Sequence, residues 1–271
     1  MIEGSRSSGD PTMKRWTALI CALTFLGACA TSPTGRRQLH LVSDAEVSQM
    51  GVTAFQEMKQ KTPVTKSQED SAFVQCVARA ITAQVPNTPL TPANWEVQVF
   101  DSKEINAFAL PGGKIGVYTG LLKVTQNQDQ LAAVLGHEVS HVLAGHSASR
   151  VSNQMAAQFG GALISAGTGM SSDLIGTGAN YLLLLPFSRG DESEADILGM
   201  DLMARAGFDP SQSIALWQNM SKQAGQAPPE LLSTHPSNQT RIADLQRHLT
   251  QDMPVYEQAR AAGRRPACGR P

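Results

Sequence analysis

The first half of the chain shows helical periodicity before any strand pattern. Residues Ser67–Val85 carry apolar side chains at the spacing of one helix face, which predicts an amphipathic helix. Upstream, Ser43 and Glu46 lie three residues apart, as in a capping box at the start of a helix. The pattern therefore predicts two helices, the first running from Ser43 to about Lys61 and the second covering Ser67–Val85.

Strand patterns follow these two helices. Trp95–Phe100 alternates apolar and polar side chains, which is typical of a half-buried strand. Two more strands are predicted at Asn106–Leu110 and Lys114–Thr119, because the turn sequence Pro111–Gly113 separates two short apolar runs. We expect the three strands to form a small antiparallel sheet.

A strongly apolar helix is predicted directly after this sheet, with Asn127 as its N-cap and Gln130 three residues later. Gly160–Gly178 is rich in small residues, which fits either a mobile lid or a closely packed pair of buried helices. Further helices are predicted at about Asp191–Ala206, ended by Gly207, at Pro210–Lys222 and at Asn238–Leu249. The expected fold is α+β and mainly helical, with the small sheet beside the apolar helix.

Composition narrows the class of protein. Hydrophobic residues make up 41% of the 271 residues, so the chain can bury a packed core. The formal net charge of -1 argues against a nucleic-acid-binding protein. The basic stretch Arg260–Arg270 is expected to be a solvated, frayed tail.

The N-terminus has the pattern of an export signal. The basic Met13–Arg15 precedes the apolar run Trp16–Leu26, and small residues follow up to Cys29. The sequence LGAC resembles the bacterial lipoprotein box, whose cysteine becomes the lipidated first residue of the mature protein. We therefore expect a periplasmic lipoprotein anchored through Cys29, with Ala30 favouring the outer membrane. The alternative is a soluble exported protein in which Cys29 has no such role.

These features divide the chain into four parts. They are an N-terminal extension and signal peptide at 1–28 (with Met13 as the natural start), a tether at 29–42, the main folded domain at 43–255 and the basic tail at 256–271. Two cysteines lie outside the signal and the anchor. In an oxidising compartment Cys76 and Cys268 could form a disulfide, and they could equally remain two free thiols.

The apolar helix carries the candidate chemistry, in the sequence HEVSH. His137 and His141 are four residues apart, so they lie on one helix face and can bind one ion, with Glu138 placed to act on water. The alternative is a pair of structural histidines on a core helix. Burying unpaired histidines and a glutamate in so apolar a helix would be costly, which favours the metal site.

A third ligand must come from elsewhere in the chain. One type of zinc peptidase has a histidine six residues after the second motif histidine, but that position is Ser147, and His146 is out of register. Downstream, Glu192 and Asp196 share one helix face, whereas Glu194 points away from it. The alternative for these carboxylates is a solvated acidic face.

Four segments in this order resemble a known zinc metallopeptidase family. They are the HEVSH motif and the segments Asn106–Leu122 (NAFALPGGKIGVYTGLL), Leu184–Asp196 (LLPFSRGDESEAD) and Ser233–Ile242 (STHPSNQTRI). The family contains the CAAX prenyl protease and the HtpX heat-shock protease, and the resemblance is strongest to its periplasmic lipoprotein members, typified by LoiP and BepA. It implies a gluzincin-type fold around the motif helix.

The resemblance also implies roles for individual residues. It makes His137, His141 and Glu192 the ligands of one zinc ion, Glu138 the general base and Asp196 a residue that supports the site. His235 and Arg241 would approach from the opposite side. His235 would either stabilise the reaction intermediate or occupy the metal in a closed resting form.

The expected function is zinc-dependent cleavage of unfolded or misassembled envelope proteins. The substrate backbone is expected to add to the third strand, formed by Lys114, Ile115, Gly116, Val117 and Tyr118. The alternative is a lipoprotein chaperone that assists outer-membrane assembly, with a closed or latent zinc site.

Overall fold

The computed structural model of the protein describes residues 29–159, 182–183, 185–223, 230–235 and 239–269. The signal region 1–28 and the segment Gly160–Gly178 lie outside these described residues. The strands are β1 (Cys29–Thr31), β2 (Arg37–Leu39), β3 (Glu96–Phe100), β4 (Ala107–Leu110) and β5 (Lys114–Tyr118). The helices are α1 (Asp44–Lys61), α2 (Gln68–Thr82), α3 (Thr119–Leu122), α4 (Gln128–Leu143), α5 (His146–Phe159), α6 (Arg189–Ala206), α7 (Ser211–Gln223), α8 (Glu230–Thr234) and α9 (Gln239–Ala261).

The mainly helical α+β fold is confirmed, but the sheet of β3, β4 and β5 is mixed rather than antiparallel. Its strand order is β3-β5-β4, with β5 parallel to β3 and antiparallel to β4. The strand Lys114–Tyr118 is therefore central: all five residues pair with β3, and Lys114–Val117 also pair with β4. This corrects the expectation that a substrate adds to it, because its backbone groups already bond to neighbouring strands.

The motif helix α4 forms the centre of the core. Its N-cap forms as predicted, since the Asn127 side chain accepts a hydrogen bond from the Gln130 backbone. Thirteen consecutive residues, Gln130–Val142, are buried between the sheet, α2, α6 and α7. A helix enclosed on every side can keep polar side chains only where partners are built for them.

Two glycines allow α4 and α6 to cross in close contact. A Cβ atom on Gly136 would lie 2.9 Å from the Gly199 carbonyl oxygen, and one on Gly199 would lie 2.9 Å from the His137 nitrogen. Larger residues would force the helices apart. The crossing places the acidic N-terminal half of α6 against the motif on α4.

Residues 29–42 are not the loose tether that the sequence suggested. β1 and β2 pair as an antiparallel hairpin, and the Leu41 backbone donates a hydrogen bond to Ser152 in α5. Thr34 and Arg36, in and beside its turn, both donate to Glu194 in α6. The hairpin is thus attached to the domain by long-range polar contacts.

The C-terminal segment is also docked rather than frayed. α9 continues past the expected Leu249 and through Pro254 to Ala261. Cys268 forms a disulfide with Cys76 of α2, and the Gln128 side chain bonds to the backbone of Pro266 and Cys268. These contacts correct the boundary drawn at 255. Among the described residues, none of the helices is long and apolar enough to cross a membrane.

Candidate metal centre

The two motif histidines point their outer ring nitrogens at the same place. His137 Nε2 and His141 Nε2 lie 3.1 Å apart, and both side chains are buried. They reach this arrangement because four residues span about one helical turn. A carboxylate and a third histidine complete the cluster from two other elements.

Glu192 comes from the first turn of α6, and His235 follows α8 directly. Glu192 Oε1 lies 3.4 Å from His141 Nε2, and Glu192 Oε2 lies 3.4 Å from His137 Nε2. His235 Nδ1 lies 3.2 Å from His137 Nε2 and 3.0 Å from Glu192 Oε1. His235 is held there because its backbone nitrogen donates to Leu231, while the Leu231 nitrogen donates to Ile105 before β4.

This donor set fits a zinc ion. The four ligand atoms lie within 4.8 Å of one another, and three imidazoles with one carboxylate are zinc-type donors. Zinc bonds of about 2.0–2.1 Å place donors at the corners of a tetrahedron roughly 3.3–3.5 Å apart, close to the spacings observed here. Ring nitrogens that face each other without a shared cation leave lone pairs buried and opposed.

Asp196 and Arg241 fix the orientation of His137. Asp196 lies one turn after Glu192 and approaches His137 Nδ1 to 3.0 Å, while Arg241 in α9 donates to both Asp196 oxygens at 2.6 and 2.7 Å. The Arg241 guanidinium also lies 2.8 Å from Glu192 Oε2 and stacks over Trp217 in α7. A ligand histidine whose second nitrogen meets a carboxylate has a fixed tautomer and ring orientation.

Glu138 faces a cleft beside the cluster. The cleft has a volume of about 360 Å³, and Glu138 and His235 line it together with Ala107, Phe108 and Ala109 of β4. Glu138 Oε1 lies 3.4 Å from His235 Nε2 and has no hydrogen-bond partner among the described residues. A buried carboxylate oxygen with this freedom is available to a substrate or a water molecule.

The electrostatics of the cluster favour a bound cation. Burial lowers the pKa of His137, but hydrogen bonds with Asp196 and Glu192 outweigh burial and raise it to about 9. Burial holds the pKa of His141 well below its ordinary value and raises that of Glu138. Burial also opposes ionisation of Glu192, but hydrogen bonds from the three histidines lower its pKa overall. The carboxylates that favour a proton on His137 also favour a metal cation between the ligand atoms.

Aromatic and cationic side chains close the outer side of the cluster. The Phe187 ring stacks on His141 with ring centroids 3.8 Å apart, and Arg150 lies 3.8 Å from the centre of the Phe187 ring. Arg150 also donates to the Leu182 and Leu185 carbonyls, which holds the chain before α6 against the cleft.

All seven residues that the sequence analysis placed at the centre meet here. They are His137, Glu138, His141, Glu192, Asp196, His235 and Arg241. Sequence reasoning missed Phe187, Trp217, His146 and the hairpin residues that contact Glu194. Of these, His146 had a visible signal, because it follows His141 by five residues across a helix-ending Gly145.

Comparisons with known proteins agree with this geometry. The sequence model of Peptidase family M48 matches residues 67–249, which confirms the resemblance seen in the sequence. The mitochondrial metalloendopeptidase OMA1 of Schizosaccharomyces pombe is 38% identical over 177 residues, which cover 65% of this chain and 52% of that protein. The beta-barrel assembly-enhancing protease of Escherichia coli K12 is 28% identical over 230 residues, which cover 80% of this chain and 47% of that protein.

A third relative extends the match along the chain. The mitochondrial metalloendopeptidase OMA1 of Bos taurus is 30% identical over 246 residues, which cover 83% of this chain and 46% of that protein. The chain spans about half the length of these three relatives.

Proposed function

Because the chain belongs to peptidase family M48, we propose that it is a zinc-dependent endopeptidase. The observation that carries this proposal is the convergence of the ligand atoms of His137, His141, Glu192 and His235 within 4.8 Å, beside a cleft that Glu138 faces. A purely structural zinc site gains nothing from a free carboxylate at that position.

These contacts suggest a role for each residue of the site. His137, His141 and Glu192 would hold the zinc ion, which when bound supplies a Lewis acid that polarises a carbonyl and lowers the pKa of water. Glu138 takes a proton from the attacking water and returns it to the leaving amine. Burial raises the pKa of Glu138, which brings its proton affinity closer to that needed at neutral pH.

The substrate backbone is proposed to pair with β4. This strand lines the cleft beside Glu138, and its outer edge pairs with no strand among the described residues. Because the Tyr118 nitrogen bonds to the Asn106 carbonyl, the alternation of an antiparallel pair turns the backbone groups of Ala107 and Ala109 to the outer edge. Backbone pairing depends little on the side chains of the substrate, so it suits unfolded chains of varied sequence.

A second candidate is a closed or latent site in a chaperone-like lipoprotein. It is favoured by the position of His235 Nδ1, 3.2 Å from His137 Nε2 and 3.0 Å from Glu192 Oε1. A fourth protein ligand would occupy the position that a catalytic zinc keeps open. His235→Ala separates the possibilities, since it should raise casein cleavage if His235 latches the site and lower it if His235 stabilises the reaction. A zinc-loaded variant that still does not cleave would favour the chaperone.

Metal removal tests the endopeptidase proposal itself. The purified protein should cleave casein, lose this activity after dialysis against a chelator, and regain it with about one equivalent of zinc per chain. Cleavage that persists in the metal-free protein would contradict the proposal.

We propose further that the protein acts in quality control of the bacterial envelope. The lipoprotein box at Cys29 supports a membrane anchor, and Cys29 is exposed with a free thiol. The name of the Escherichia coli relative refers to β-barrel assembly, which makes the outer-membrane assembly machinery a candidate partner. Cys29→Ser should move the protein from the membrane fraction to the soluble fraction, and unchanged fractionation would exclude the anchor.

A further inference from the structure

A second group of polar side chains connects the ligand His141 to the N-terminal hairpin. We call it the hairpin relay, and it consists of His146, Glu194, Thr34 and Arg36. His146 and Glu194 are only 1% and 3% exposed. None of these four residues belongs to the ligand cluster, yet they form an unbroken series of contacts that ends on one of its members.

The first step of the relay is set by the turn between α4 and α5. Gly145 has a φ of 70°, a left-handed conformation that glycine adopts without strain. The chain therefore reverses directly after α4, and His146 returns beneath His141 with the two Nδ1 atoms 2.9 Å apart.

The ring nitrogen that each histidine presents to its partner determines where the protons of His141 and His146 lie. His141 presents Nε2 to the ligand cluster, so a neutral metal-binding ring carries its proton on Nδ1. His146 Nδ1 must then accept that proton's hydrogen bond, which leaves the His146 proton on Nε2. His146 Nε2 lies 3.1 Å from Glu194 Oε2, where a carboxylate accepts it. One arrangement of protons satisfies every ring nitrogen in the series.

The hairpin holds Glu194 in place for this role. Thr34 Oγ1 donates to Glu194 Oε1 at 2.5 Å, and Arg36 Nη1 donates to Glu194 Oε2 at 2.7 Å. Arg36 also pairs with Asp191 at 2.9 Å. Thr34 and Glu194 are 160 residues apart in sequence, so local helix structure cannot account for the contact. A carboxylate this deeply buried requires such partners to remain charged.

The two motif histidines therefore have separate supports on the same helix. Asp196 contacts His137 directly and is held by Arg241, whereas Glu194 acts on His141 through His146 and is held by the hairpin. Residues 194 and 196 lie on different faces of α6, which lets one helix support both rings from different directions.

We propose that the β1–β2 hairpin is a working part of the metal centre, in which Thr34 and Arg36 fix Glu194 and His146 as positioning residues that set the tautomer and ring orientation of His141. The inference rests on the proposed metal site and adds a requirement to it. Residues just after Cys29 must be docked for zinc to bind at full affinity.

The test compares zinc affinity among variants of the whole protein, measured by competition with a chromophoric chelator. Arg36→Met removes the hairpin's charge from the relay, and Arg37→Met is its matched control. Arg37 lies in the same hairpin, is exposed, and makes no ion pair in the part of the chain that the structure describes. Arg36→Met should weaken zinc binding about tenfold, the lower end for a residue that acts through a ligand's partner. Because Glu194 keeps Thr34 and His146 as partners, the metal-free Arg36→Met protein should lose less free energy of unfolding, relative to Arg37→Met, than the free energy of zinc binding that it loses.

His146→Phe removes the ring contact itself and should weaken zinc binding by about 100-fold. Nitrogen NMR of the zinc-loaded wild type should place the His141 proton on Nδ1. Zinc affinity unchanged in Arg36→Met would overturn the proposal, as would an affinity loss matched by an equal loss of stability in the metal-free protein. If His146→Phe does not fold, the zinc affinity of Arg36→Met still tests the proposal. A wild type that binds no zinc would instead defeat the proposed metal site.

Discussion

Three carboxylates on α6 are placed in three different ways relative to the ligand cluster. Glu192 points into the ligand cluster, Asp196 contacts the far nitrogen of His137, and Glu194 reaches His141 only through His146. Burial raises the pKa of Asp196, but the charge of Arg241 outweighs burial and keeps the pKa below its ordinary value. Asp196 therefore remains a carboxylate that accepts from the His137 ring.

We predict that Asp196→Asn weakens zinc binding by about 10- to 100-fold, because the amide accepts more weakly from His137 and removes one of the two carboxylates that Arg241 contacts. The measurement is zinc affinity by chelator competition. Asp201→Asn makes the same chemical change on the same helix, where Asp201 pairs with Arg205 away from the cluster. Equal affinities for the two variants would argue against a supporting role for Asp196.

Part of this centre was predictable from residue spacing alone. The spacing of four places His137 with His141 and Glu192 with Asp196. The only signal for His146 was its place just after Gly145, because its contact with His141 depends on the chain reversal there. The position of His235 was implied only by the family resemblance, since a loop histidine carries no local signal of the helices it will meet.

Among the secondary-structure elements, the edge strand β4 lines the cleft beside Glu138. β3 is less open, because Thr65 donates to the Val99 carbonyl and Val64 forms a bridge with Phe100. β5 lies between them and pairs with both. The cleft that Glu138 lines therefore lies beside β4, the more open edge of the sheet.

We predict that N-methylation of a peptide substrate lowers kcat/KM at alternate positions. Methylation removes an amide proton, and each position that pairs with Ala107 or Ala109 should lose about tenfold, the value of one backbone hydrogen bond. Residues between these positions turn their amides away and serve as the control. A loss that does not alternate along the peptide would contradict strand pairing.

The strands themselves were predictable, but their order was not. Alternating side chains reveal a half-buried strand and say nothing about its partners. Three strands that follow one another suggest a meander in the order β3-β4-β5. In the structure, β5 instead lies between β3 and β4 and runs parallel to β3. The helix caps were more reliable, because the Ser43–Glu46 box and the Asn127 cap depend only on residues three apart.

At the scale of the whole molecule, both flanks of the domain are built into the fold. The hairpin docks on α5 and α6, and the Cys76–Cys268 disulfide joins the C-terminal segment to α2. Thr34 lies five residues after Cys29, about 17 Å of extended chain. If Cys29 carries a lipid, the metal centre works close to the membrane surface instead of on a long tether.

Asp252 links the stability of the fold to pH. It is buried in α9, and one of its oxygens has no hydrogen-bond partner among the described residues. His248 Nε2 lies 3.6 Å from Asp252 Oδ2. Burial raises the pKa of Asp252 from 3.8 to about 7, although the charge of Arg205 acts to lower it. Between these values the folded chain holds a proton that the unfolded chain releases, so this group makes the free energy of unfolding fall as pH rises.

We predict that Asp252→Asn removes this fall and stabilises the protein by about 1–2 kcal/mol above about pH 7, with little effect near pH 4. Urea unfolding from about pH 4 to above about pH 7 measures the free energy of unfolding of both proteins. The difference between the two pH profiles is the contribution of Asp252, because His248 titrates in both. Glu257→Gln, at an exposed position on the same helix, is the control. Parallel pH profiles for wild type and Asp252→Asn would contradict the assignment.

Casein cleavage by wild type and Glu138→Gln, with zinc content determined for both, tests whether Glu138 is the general base of a zinc peptidase. The variant keeps the size of the side chain and the ligand cluster but loses the base. We predict about one zinc ion per chain in both proteins and a kcat/KM about 10²- to 10⁴-fold lower in the variant. Equal cleavage by the two zinc-loaded proteins would show that Glu138 does not activate the water and would contradict the proposed mechanism.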